Sequence, residues 1–334
     1  MRAVVLVGGF GTRLRPLTDT VPKPMLPVGH LPILQRLIAN LVRGGVDDVT
    51  LALGFKPEPF AQAFPDGTCA GARLHYAVEP CPLDTAGAIR FAADASGIDD
   101  TFVVANGDVL TDLDITELIS FHRATGAEAT LHLIAVDDPS AFGVVALDTT
   151  GRVERFVEKP APGTEPSNLI NAGTYVLEPS VLQRIEPGVR ASIERVTFPA
   201  IIETGGVYAL ATDDYWVDTG TPALYLSANL DLVDGGRPHD SCQPVAADAD
   251  IAASASVHRS LVAAHARVEA GAMVVGSVLL DGAVVGPDAY VDGSVVMGRI
   301  GAGARVIDSV IGVDGVVAAA ESLSGARRPD PDAS

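Results

Sequence analysis

The sequence predicts an α/β protein, in which a doubly wound, mostly parallel sheet is followed by a short left-handed parallel β-helix. Two observations lead to this prediction. Up to about residue 230, short apolar runs alternate with segments of helical periodicity, a pattern typical of strands joined by crossover helices. From residue 251 onward, pairs of aliphatic residues six positions apart recur among glycines and alanines, which is typical of a β-helix.

The predicted elements of the sheet follow from the apolar pattern. Buried strands are predicted at residues 3–7, 49–53, 74–78 and 102–105. A helix is predicted from near Pro32 to near Gly44, and two more over residues 85–95 and 114–125. The apolar face of the first helix contains Leu34, Leu37, Ile38 and Leu41. Because such sheets bind ligands at the carboxyl ends of their strands, functional residues are expected just after the strands.

The domain boundaries are predicted where the composition changes. We expect a first domain over residues 1–233, a linker over 234–250, the β-helix over 251–320 and a tail over 321–334. The linker loses apolar periodicity and gathers glycine, proline and aspartate. The aliphatic pairs of the β-helix are Ile251 and Val257, Val268 and Val274, Val285 and Val291, and Ile300 and Val306.

Composition narrows the function classes. The formal net charge is −19, which disfavours nucleic-acid binding because that activity needs a broad basic face. Cys69, Cys81 and Cys242 are odd in number and widely spaced, so neither a disulfide framework nor a zinc site is predicted. No apolar stretch approaches membrane-spanning length, and the run at residues 4–7 is too short for a signal-peptide core. We therefore expect a cytoplasmic protein with no membrane partner.

A glycine-rich loop follows the first strand, with the sequence GGFGTRLRPLT over residues 8–18. Glycines at a strand exit let backbone amides approach a phosphate. The spacing does not fit a dinucleotide fingerprint, because Leu14 stands where the last glycine belongs, and no P-loop Lys-Ser/Thr follows. An ordinary glycine turn is the alternative, but two arginines and Lys23 follow within a dozen residues and favour an anion site.

Lysine usage marks two further segments. The only lysines are Lys23, Lys56 and Lys159, against 20 arginines, and each precedes a proline that favours extended backbone. Where arginine is the usual base, a lysine is a candidate for a site that needs a compact charge. Lys23 lies in PKPMLP and Lys159 in FVEKP, whereas Lys56 is interpreted as a solvated surface residue.

The two motifs GGxGTRLxPLT and PKPMLP together resemble the signature of the sugar nucleotidyltransferase family. That family includes mannose-1-phosphate guanylyltransferases and glucose-1-phosphate thymidylyl-, uridylyl- and adenylyltransferases, which join a nucleoside triphosphate to a sugar 1-phosphate on a Rossmann-like sheet and release pyrophosphate. The resemblance implies that Arg13 and Lys23 are catalytic, stabilising the departing pyrophosphate, with Arg15 as a helper. It assigns nucleotide binding to Leu6, Gly8, Gly9, Gly11, Thr12, Arg13, Glu79, Pro82, Asp84, Thr85 and Gly87.

Two carboxylates are candidates for metal binding. Asp108 follows the strand at residues 102–105, and Asp218 lies in WVDTGTP before a helix that Thr221 could cap. A turn or capping role is the alternative for each, and is preferred for Asp114, which has Glu117 three positions on. Two carboxylates can hold Mg²⁺ together with phosphate oxygens and water, and the resemblance implies the same role. Asp108 and Asp218 are therefore the expected Mg²⁺ ligands.

The sugar phosphate is expected at three strand-like segments, FGVV at 142–145, VEKP at 157–160 and NAGTY at 171–175. The resemblance implies that Glu158 and Asn171 contact sugar hydroxyls, that Gly143 lets the ring approach, and that Lys159 binds the sugar phosphate. The alternative is that these are edge-strand charges. Strand alternation predicts that Glu158 and Lys159 point to opposite faces and do not pair.

The chemistry needs no general base. A phosphate monoester is mostly dianionic near neutral pH and can attack the α-phosphorus directly, so catalysis consists of alignment and charge neutralisation. No Ser/His/Asp or Cys/His constellation with recognisable spacing occurs. The histidines at positions 30, 75, 122 and 132 are interpreted as structural or surface residues.

The base is predicted from the segment EPCPLDTAG at 79–87, which matches the family's nucleobase segment. The sugar is predicted from the motif order and the hexad-repeat tail, which resemble those of mannose-1-phosphate guanylyltransferases. Thymidylyltransferases usually have Gln at the position of Glu79. A carboxylate accepts two hydrogen bonds and suits the adjacent N1–H and N2–H donors of guanine. Asp84 replaces a common glycine, and Val196 replaces the second Glu of the S-[IV]-E-x-E-x-F-P pattern of guanylyltransferases. GTP and mannose 1-phosphate are the expected substrates; the thymidylyl, uridylyl and adenylyl activities are the alternatives.

An acyltransferase and a non-catalytic regulatory subunit are the alternatives from other function classes. Acyltransferases also contain β-helix repeats, and His258 and His265 could serve as their bases, but the predicted β-helix is short. A non-catalytic regulatory subunit would tend to lose the charged motif residues, which are intact here. The β-helix is expected to serve stability or assembly, with a homo-oligomer formed through it or beside it.

Overall fold

The computed structural model describes residues 1–9, 11–54, 57–237, 240 and 242–331. The chain forms two compact units. The first consists of Met1–Gly9 and Leu34–Trp216, and the second of Phe10–Ile33 and Val217–Ser334. The segment that follows the first strand is therefore grouped with the C-terminal part of the chain. Lys56, predicted as a surface lysine, lies outside the described residues.

Helices and strands are numbered in chain order. The helices are α1 (Ile33–Arg43), α2 (Glu58–Ala63), α3 (Asp84–Ala95), α4 (Ile115–Thr125), α5 (Pro179–Gln183), α6 (Phe198–Ile202) and α7 (Pro222–Val233). Short 3₁₀ turns cover Thr12–Leu14 and Lys23–Met25, and a π-helical turn covers Ile193–Thr197. The strands before residue 234 are β1 (Arg2–Leu6), β2 (Pro27–Val28), β3 (Leu31–Pro32), β4 (Asp48–Leu53), β5 (Thr68–Cys69), β6 (Ala72–Val78), β7 (Phe102–Asn106), β8 (Val109–Thr111), β9 (Ala129–Ala135), β10 (Gly143–Leu147), β11 (Val153–Glu158), β12 (Leu169–Leu177), β13 (Val207–Thr212) and β14 (Trp216–Asp218).

The strands after residue 234 are short. They are β15 (Asp250–Ile251), β16 (Ser256–His258), β17 (Leu261–Val262), β18 (Arg267–Val268), β19 (Met273–Val275), β20 (Val278–Leu279), β21 (Val284–Val285), β22 (Tyr290–Asp292), β23 (Val295–Val296), β24 (Arg299–Ile300), β25 (Arg305–Ile307), β26 (Val310–Ile311), β27 (Val316–Val317), β28 (Ser322–Ser324) and β29 (Arg327–Arg328).

The first unit is built on a mixed sheet in the order β11-β10-β12-β7-β1-β4-β6-β5. Strands β7, β1, β4 and β6 pair in parallel, which confirms the predicted doubly wound arrangement of the four apolar runs. Strands β10, β11 and β12 add an antiparallel extension, with β9 pairing between β12 and β13. The extension differs from a parallel sheet because β10 and β11 are joined by a tight turn, and a short turn can only connect antiparallel neighbours.

The predicted helices are confirmed, and their apolar faces explain them. Helix α1 buries Leu34, Leu37, Ile38 and Leu41, each at most 4% exposed. Helix α4 begins after Asp114, whose Oδ1 accepts from the amides of Thr116 and Glu117, as expected of a cap. It ends at Gly126 in the left-handed conformation, which glycine adopts without strain.

Within the described ranges, no helix combines the length and apolar character that a membrane crossing requires.

The second unit contains the predicted left-handed β-helix, formed by three parallel five-stranded sheets. These are β15-β18-β21-β24-β27, β16-β19-β22-β25-β28 and β17-β20-β23-β26-β29. The predicted six-residue pairs span the first two sheets: Val268 and Val274, for example, lie on β18 and β19 and are at most 1% exposed. The aliphatic side chains face inward and fill the interior, as the spacing predicted.

A column of buried serines joins successive coils of the β-helix. Ser277, Ser294 and Ser309 each donate their amide to the Oγ of the serine one coil earlier, at 3.0 Å. Each hydroxyl in turn donates to the carbonyl two residues before it, as Ser294 does to Asp292 at 2.8 Å. The polar groups of this turn are thus satisfied inside the protein. The sequence analysis missed this repeat of serines, which recurs once per coil.

The prediction of a tail over residues 321–334 is wrong for its described part. Strands β28 and β29 complete the last coil, with the Gly312 amide donating to the Arg328 carbonyl at 2.7 Å and the Ala326 amide to Ser309 Oγ at 3.2 Å. The six-residue spacing does continue into this coil, since Val317 lies on β27 and Leu323 on β28, but β29 carries Arg327 and Arg328 where earlier coils have aliphatic residues.

Replacement of a serine in the column of buried serines is expected to destabilise the second unit. Ser294→Ala removes the hydroxyl that accepts from Ser309 and donates to Asp292, leaving buried backbone groups unsatisfied, so we expect a loss of about 1–3 kcal/mol in unfolding free energy. The measurement is urea unfolding, with Ser324→Ala on exposed β28 as the matched control. Equal unfolding free energies of the two variants would show that the column of buried serines does not stabilise the protein.

Candidate functional site

In the first unit, the carboxyl ends of β1, β4 and β6 bring two glycines and one carboxylate together. A Cβ added to Gly8 would lie 3.4 Å from the Gly54 amide nitrogen, and one added to Gly54 would lie 4.0 Å from Glu79 Oε1. The two strand ends therefore approach closely, with an acidic side chain beside them. Gly54 was not identified from the sequence, although a glycine directly after a predicted strand is a signal that could have found it.

Glu79 anchors the turn that leads into α3. Its Oε2 accepts from the Leu83 amide at 2.8 Å, and burial raises the pKa of its carboxyl. One oxygen of the predicted base-reading carboxylate is thus already used within the protein, while Oε1 lies toward Gly54. Pro82 is exposed on the same turn.

Asp84 explains why glycine is common at its position. Its φ is +61°, in the left-handed region that glycine favours and that aspartate tolerates better than most residues. Its Oδ1 accepts from the Thr85 amide at 2.9 Å. The departure from the family pattern thus keeps the backbone conformation that the helix start requires.

Thr85 and Gly87 hold the start of α3 against a neighbouring segment. The Thr85 hydroxyl donates to Glu194 Oε2 at 2.7 Å and accepts from the Ile193 amide at 2.9 Å. A Cβ on Gly87 would lie 2.7 Å from the Val189 carbonyl oxygen. Both predicted nucleotide contacts therefore have packing partners in the fold. Val196 is 57% exposed, so the absence of the second glutamate leaves no gap in the core.

Asp108 lies where the sequence placed it, just past β7. The preceding Gly107 donates its amide to the Leu6 carbonyl at 2.8 Å, and a Cβ there would lie 2.6 Å from Val7 Cγ1. Only glycine permits this contact between the turn and the end of β1. Asp108 is thereby held, half-buried, at the carboxyl edge of the sheet.

Gly143 and Glu158 face each other across the β10–β11 pair. A Cβ on Gly143 would lie 2.9 Å from Glu158 Oε2 and 2.6 Å from the Phe156 ring. The glycine therefore makes room for the carboxylate, which is half-buried. The Phe156 ring and the Glu158 carboxylate thus require glycine at this position.

The prediction that Glu158 and Lys159 do not pair is wrong. Lys159 Nζ lies 3.4 Å from Glu158 Oε1. Strand β11 ends at Glu158, and Lys159 has a φ of +49°, so the alternation of side chains stops one residue earlier than expected. The Lys159 amide donates to the Phe142 carbonyl at 2.9 Å, which fixes this conformation.

Asn171 sits at an irregularity in β12. Its Nδ2 donates to Tyr175 Oη at 2.8 Å, and its Oδ1 accepts from the Gly173 amide at 3.2 Å. Gly173 has a φ of +78°, and a Cβ there would lie 2.5 Å from Asn106 Nδ2. Burial raises the pKa of Tyr175 well above its usual range, so its hydroxyl stays protonated. The amide of Asn171 is thus held in one orientation.

An aromatic pair, missed by the sequence reasoning, lies beside this irregularity. Trp216 Nε1 donates to the Ala172 carbonyl at 2.9 Å, and its ring meets Phe142 edge-on at a centroid distance of 5.8 Å. Phe142 directly precedes Gly143, and Trp216 begins the segment that contains Asp218. Phe142 stands in the FGVV segment and Trp216 in the WVDTGTP motif, so an aromatic residue in each could have indicated this pair from the sequence.

In the second unit, Asp218 forms ion pairs with the two predicted catalytic cations. Lys23 Nζ lies 3.0 Å from Asp218 Oδ1, and Arg13 Nη2 lies 3.8 Å from Oδ2. The Lys23 side chain is 6% exposed, whereas that of Arg13 is 68% exposed. The carboxylate thus binds one buried cation and one exposed cation.

Helix α7 positions both sides of this ion-pair cluster. Asp218 lies just before the helix, whose first turn Thr221 caps by accepting from the Leu224 amide at 3.3 Å, as predicted. From the helix itself, the Tyr225 hydroxyl donates to the Pro27 carbonyl, and Asn229 Oδ1 accepts from the Gly29 amide at 2.9 Å. These bonds fix the PKPMLP segment that carries Lys23.

Two glycines make the cluster possible. A Cβ on Gly220 would lie 2.6 Å from Arg13 Nη2 and 2.9 Å from Asp218 Oδ1. Gly11 has a φ of +60°, and its carbonyl accepts from the Thr18 hydroxyl at 2.8 Å. Gly220 was missed although it stands in the WVDTGTP motif. Arg15, the expected helper, forms instead an exposed ion pair with Asp19 at 3.3 Å.

The histidines have the structural or surface placement that was expected. His122 is buried between Thr130 Oγ1 at 2.8 Å and Glu178 Oε1 at 3.0 Å. His132 is buried against Thr212, and burial lowers its pKa to about 4, so it stays neutral at physiological pH. The other two, His30 and His75, are exposed.

The predicted metal ligands suit a nucleotide-bound ion better than an ion bound by protein alone. Among the described residues, no group of three or more His, Cys, Asp or Glu side chains could hold a metal. Mg²⁺ typically takes one or two carboxylates and completes its shell with phosphate oxygens and water. Each predicted ligand offers one carboxylate, Asp108 in the first unit and Asp218 in the second, where the Asp218 oxygens also bind the two cations.

Removal of the Asp218 charge is expected to destabilise the ligand-free protein. Asp218→Asn keeps the shape but replaces the ion pair with buried Lys23 by a neutral contact, which should lower the unfolding free energy by about 1–3 kcal/mol. The measurement is urea unfolding, with Asp213→Asn at an exposed position as control. If both variants match the original chain, the ion pair does not organise this unit.

The chain is similar in sequence to known proteins over most of its length. The profile of the nucleotidyl transferase family matches residues 2–235. A mannose-1-phosphate guanylyltransferase from Mycobacterium tuberculosis is 40% identical over 319 residues, covering 94% of this chain and 80% of that protein. A probable mannose-1-phosphate guanylyltransferase 1 from Oryza sativa is 38% identical over 292 residues, covering 86% and 75%.

Solved structures show the same fold over about two thirds of this chain. HddC from Yersinia pseudotuberculosis complexed with GMP-PN has a TM-score of 0.59 at 29% identity, covering 68% of this chain and 97% of that one. A putative glucose-1-phosphate thymidylyltransferase from Bacillus anthracis has a TM-score of 0.61 at 24% identity, covering 69% and 94%. With this fold, the family match and relatives of such identity, the chain belongs to the nucleotidyl transferase family.

Proposed function

We propose that the chain transfers GMP from GTP to mannose 1-phosphate, giving GDP-mannose and pyrophosphate. The observation that carries the reaction class is the cluster in which Asp218 holds Lys23 and Arg13, because a reaction that releases pyrophosphate needs cations where charge accumulates. The choice of substrates is supported by the names of the relatives from Mycobacterium tuberculosis and Oryza sativa.

The proposed mechanism uses the chain's cations for charge neutralisation. The phosphate of the sugar is already dianionic near neutral pH and attacks the α-phosphorus without a general base. Lys23, buried and fixed by Asp218, is a preorganised charge for the leaving pyrophosphate, and exposed Arg13 can move onto it. Asp108 and Asp218 are the proposed holders of Mg²⁺, which when bound supplies further neutralisation of the phosphates.

The sugar phosphate is proposed to bind at Gly143, Glu158, Lys159 and Asn171. The Glu158 carboxylate and the fixed Asn171 amide offer an acceptor and a donor for sugar hydroxyls. Lys159 is 61% exposed, and an exposed ion pair contributes little, so its ammonium can exchange Glu158 for a phosphate at small cost.

The proposal further includes self-association through or beside the β-helix, a cytoplasmic location, and no nucleic-acid or membrane partner. Val313 and Val316 support association, since they are 48% and 59% exposed on the β-helix. Light scattering of the purified chain distinguishes a monomer from an oligomer.

A substrate panel tests the proposed reaction. Pyrophosphate release is measured with GTP, dTTP, UTP and ATP, each with mannose 1-phosphate and glucose 1-phosphate, in the presence of Mg²⁺. We expect the highest kcat/KM for GTP with mannose 1-phosphate, and a loss of roughly 100-fold or more in kcat for Lys23→Ala. Preference for dTTP and glucose 1-phosphate would refute the substrates, and no release from any pair would refute the reaction.

Glu79→Gln tests the proposed reading of guanine. The new amide oxygen can still accept from Leu83, while the amide nitrogen replaces Oε1, the oxygen proposed to accept from guanine. We expect kcat/KM for GTP to fall about 10- to 100-fold with little change for dTTP. Glu58→Gln, at an exposed position, is the control. An unchanged value for GTP would mean that other groups read the base.

A further inference from the structure

A side chain of the last β-helix coil is bonded to the backbone of the glycine-rich loop, here called the signature loop and comprising residues 11–19. Arg327, on β29, donates from Nη1 to the Arg15 carbonyl oxygen at 2.9 Å, although the two residues are 312 positions apart. A bond from a guanidinium to a carbonyl is charge-assisted and stronger than one between neutral groups. The loop backbone is therefore tied to the end of the β-helix.

A second contact joins the signature loop to the same end of the β-helix. A Cβ on Gly312 would lie 2.8 Å from Pro16 Cβ and 2.9 Å from Pro16 Cγ, so no side chain fits between them. Pro16 is buried. Gly312 directly follows β26, one coil before Arg328, and donates its amide to the Arg328 carbonyl, so the two contacts lie on the last two coils of the β-helix.

These contacts act on the part of the loop that carries a proposed catalytic cation. The amide of Arg15 donates to the Thr12 carbonyl at 3.2 Å, and that of Leu14 to the Gly11 carbonyl at 2.9 Å, so backbone bonds link Arg15 to the turn containing Arg13. The Arg13 side chain is mostly exposed, and its ion pair with Asp218, at 3.8 Å, is longer than a hydrogen bond. Its placement depends on the backbone.

The loop is not packed solidly on the side that faces the last coil. A cavity of about 620 Å³ is lined there by Thr12 and Arg15 from the loop and by Arg327 and Arg328 from β29, among others. Open space on this side leaves room for the loop to shift. The bond from Arg327 and the contact at Gly312 thus hold the loop on this side, in addition to the burial of Leu14 and Leu17.

We propose that the last coil of the β-helix positions the signature loop for catalysis, and that Arg327 is a positioning residue acting through Arg13. The inference rests on the proposed function. Since Arg13 would act on charge that develops only as pyrophosphate departs, a misplaced loop should lower kcat more than it raises KM.

The test compares Arg327→Ala with Arg299→Ala, an exposed arginine on β24 in the same β-helix. We expect Arg327→Ala to lower kcat about tenfold with KM within about twofold, Arg327→Lys to recover part of the loss, and Arg299→Ala to have no effect. Gly312→Ala, which pushes on Pro16 from the other contact, should lower kcat in the same way. In an Arg13→Ala background, Arg327→Ala should add little further loss.

Hydrogen exchange of the full chain supplies a readout that does not depend on activity. The amides of Leu14, Arg15 and Leu17, which are bonded within the loop, should exchange faster in Arg327→Ala while the unfolding midpoint is unchanged. Unchanged exchange and kcat, full additivity with Arg13→Ala, or a kcat loss explained by lower stability would each overturn the proposal. If the original chain releases no pyrophosphate, the proposed function fails, and the exchange result still decides whether Arg327 holds the loop.

Discussion

The ion pair between Lys23 and Asp218 is the constraint on which the second unit depends. Burial of an ammonium costs several kcal/mol unless the group has a charged partner, and the Lys23 side chain is only 6% exposed. Asp218 supplies that partner and fixes the ammonium before any substrate arrives. Because Asp218 directly precedes α7, and α7 also bonds to the PKPMLP segment, the helix determines the distance between the two charges.

Glycine positions set how closely charged groups approach in both units. Gly220 lies where a Cβ would collide with Arg13 Nη2, and Gly143 where it would collide with Glu158 Oε2. Gly107 plays the same part for the turn that presents Asp108. At Gly220 and Gly143 the missing side chain lets a charged group lie directly against the backbone. The motifs thus specify a shape as well as a set of charges.

The sequence predicted those features that a local pattern determines. The strands, α1 and the aliphatic pairs followed from periodicity, and Arg13, Lys23 and Asp218 followed from long motifs; the structure brings these three residues together. Features set by a single backbone angle or by pairing across coils were missed. Lys159 meets Glu158 because of a positive φ, and the last coil was taken for a tail because β29 carries two arginines, although Val317 and Leu323 keep the six-residue spacing.

The position of the signature loop within the second unit has a thermodynamic reason. A glycine-containing loop has many conformations, and ordering each residue costs on the order of 1–2 kcal/mol. Leu14 and Leu17 are fully buried, and Pro16 rests against Gly312, so apolar burial and close packing offset much of that cost. The end of the β-helix thus helps to give the signature loop one preferred conformation, through Gly312 at Pro16 and Arg327 at Arg15.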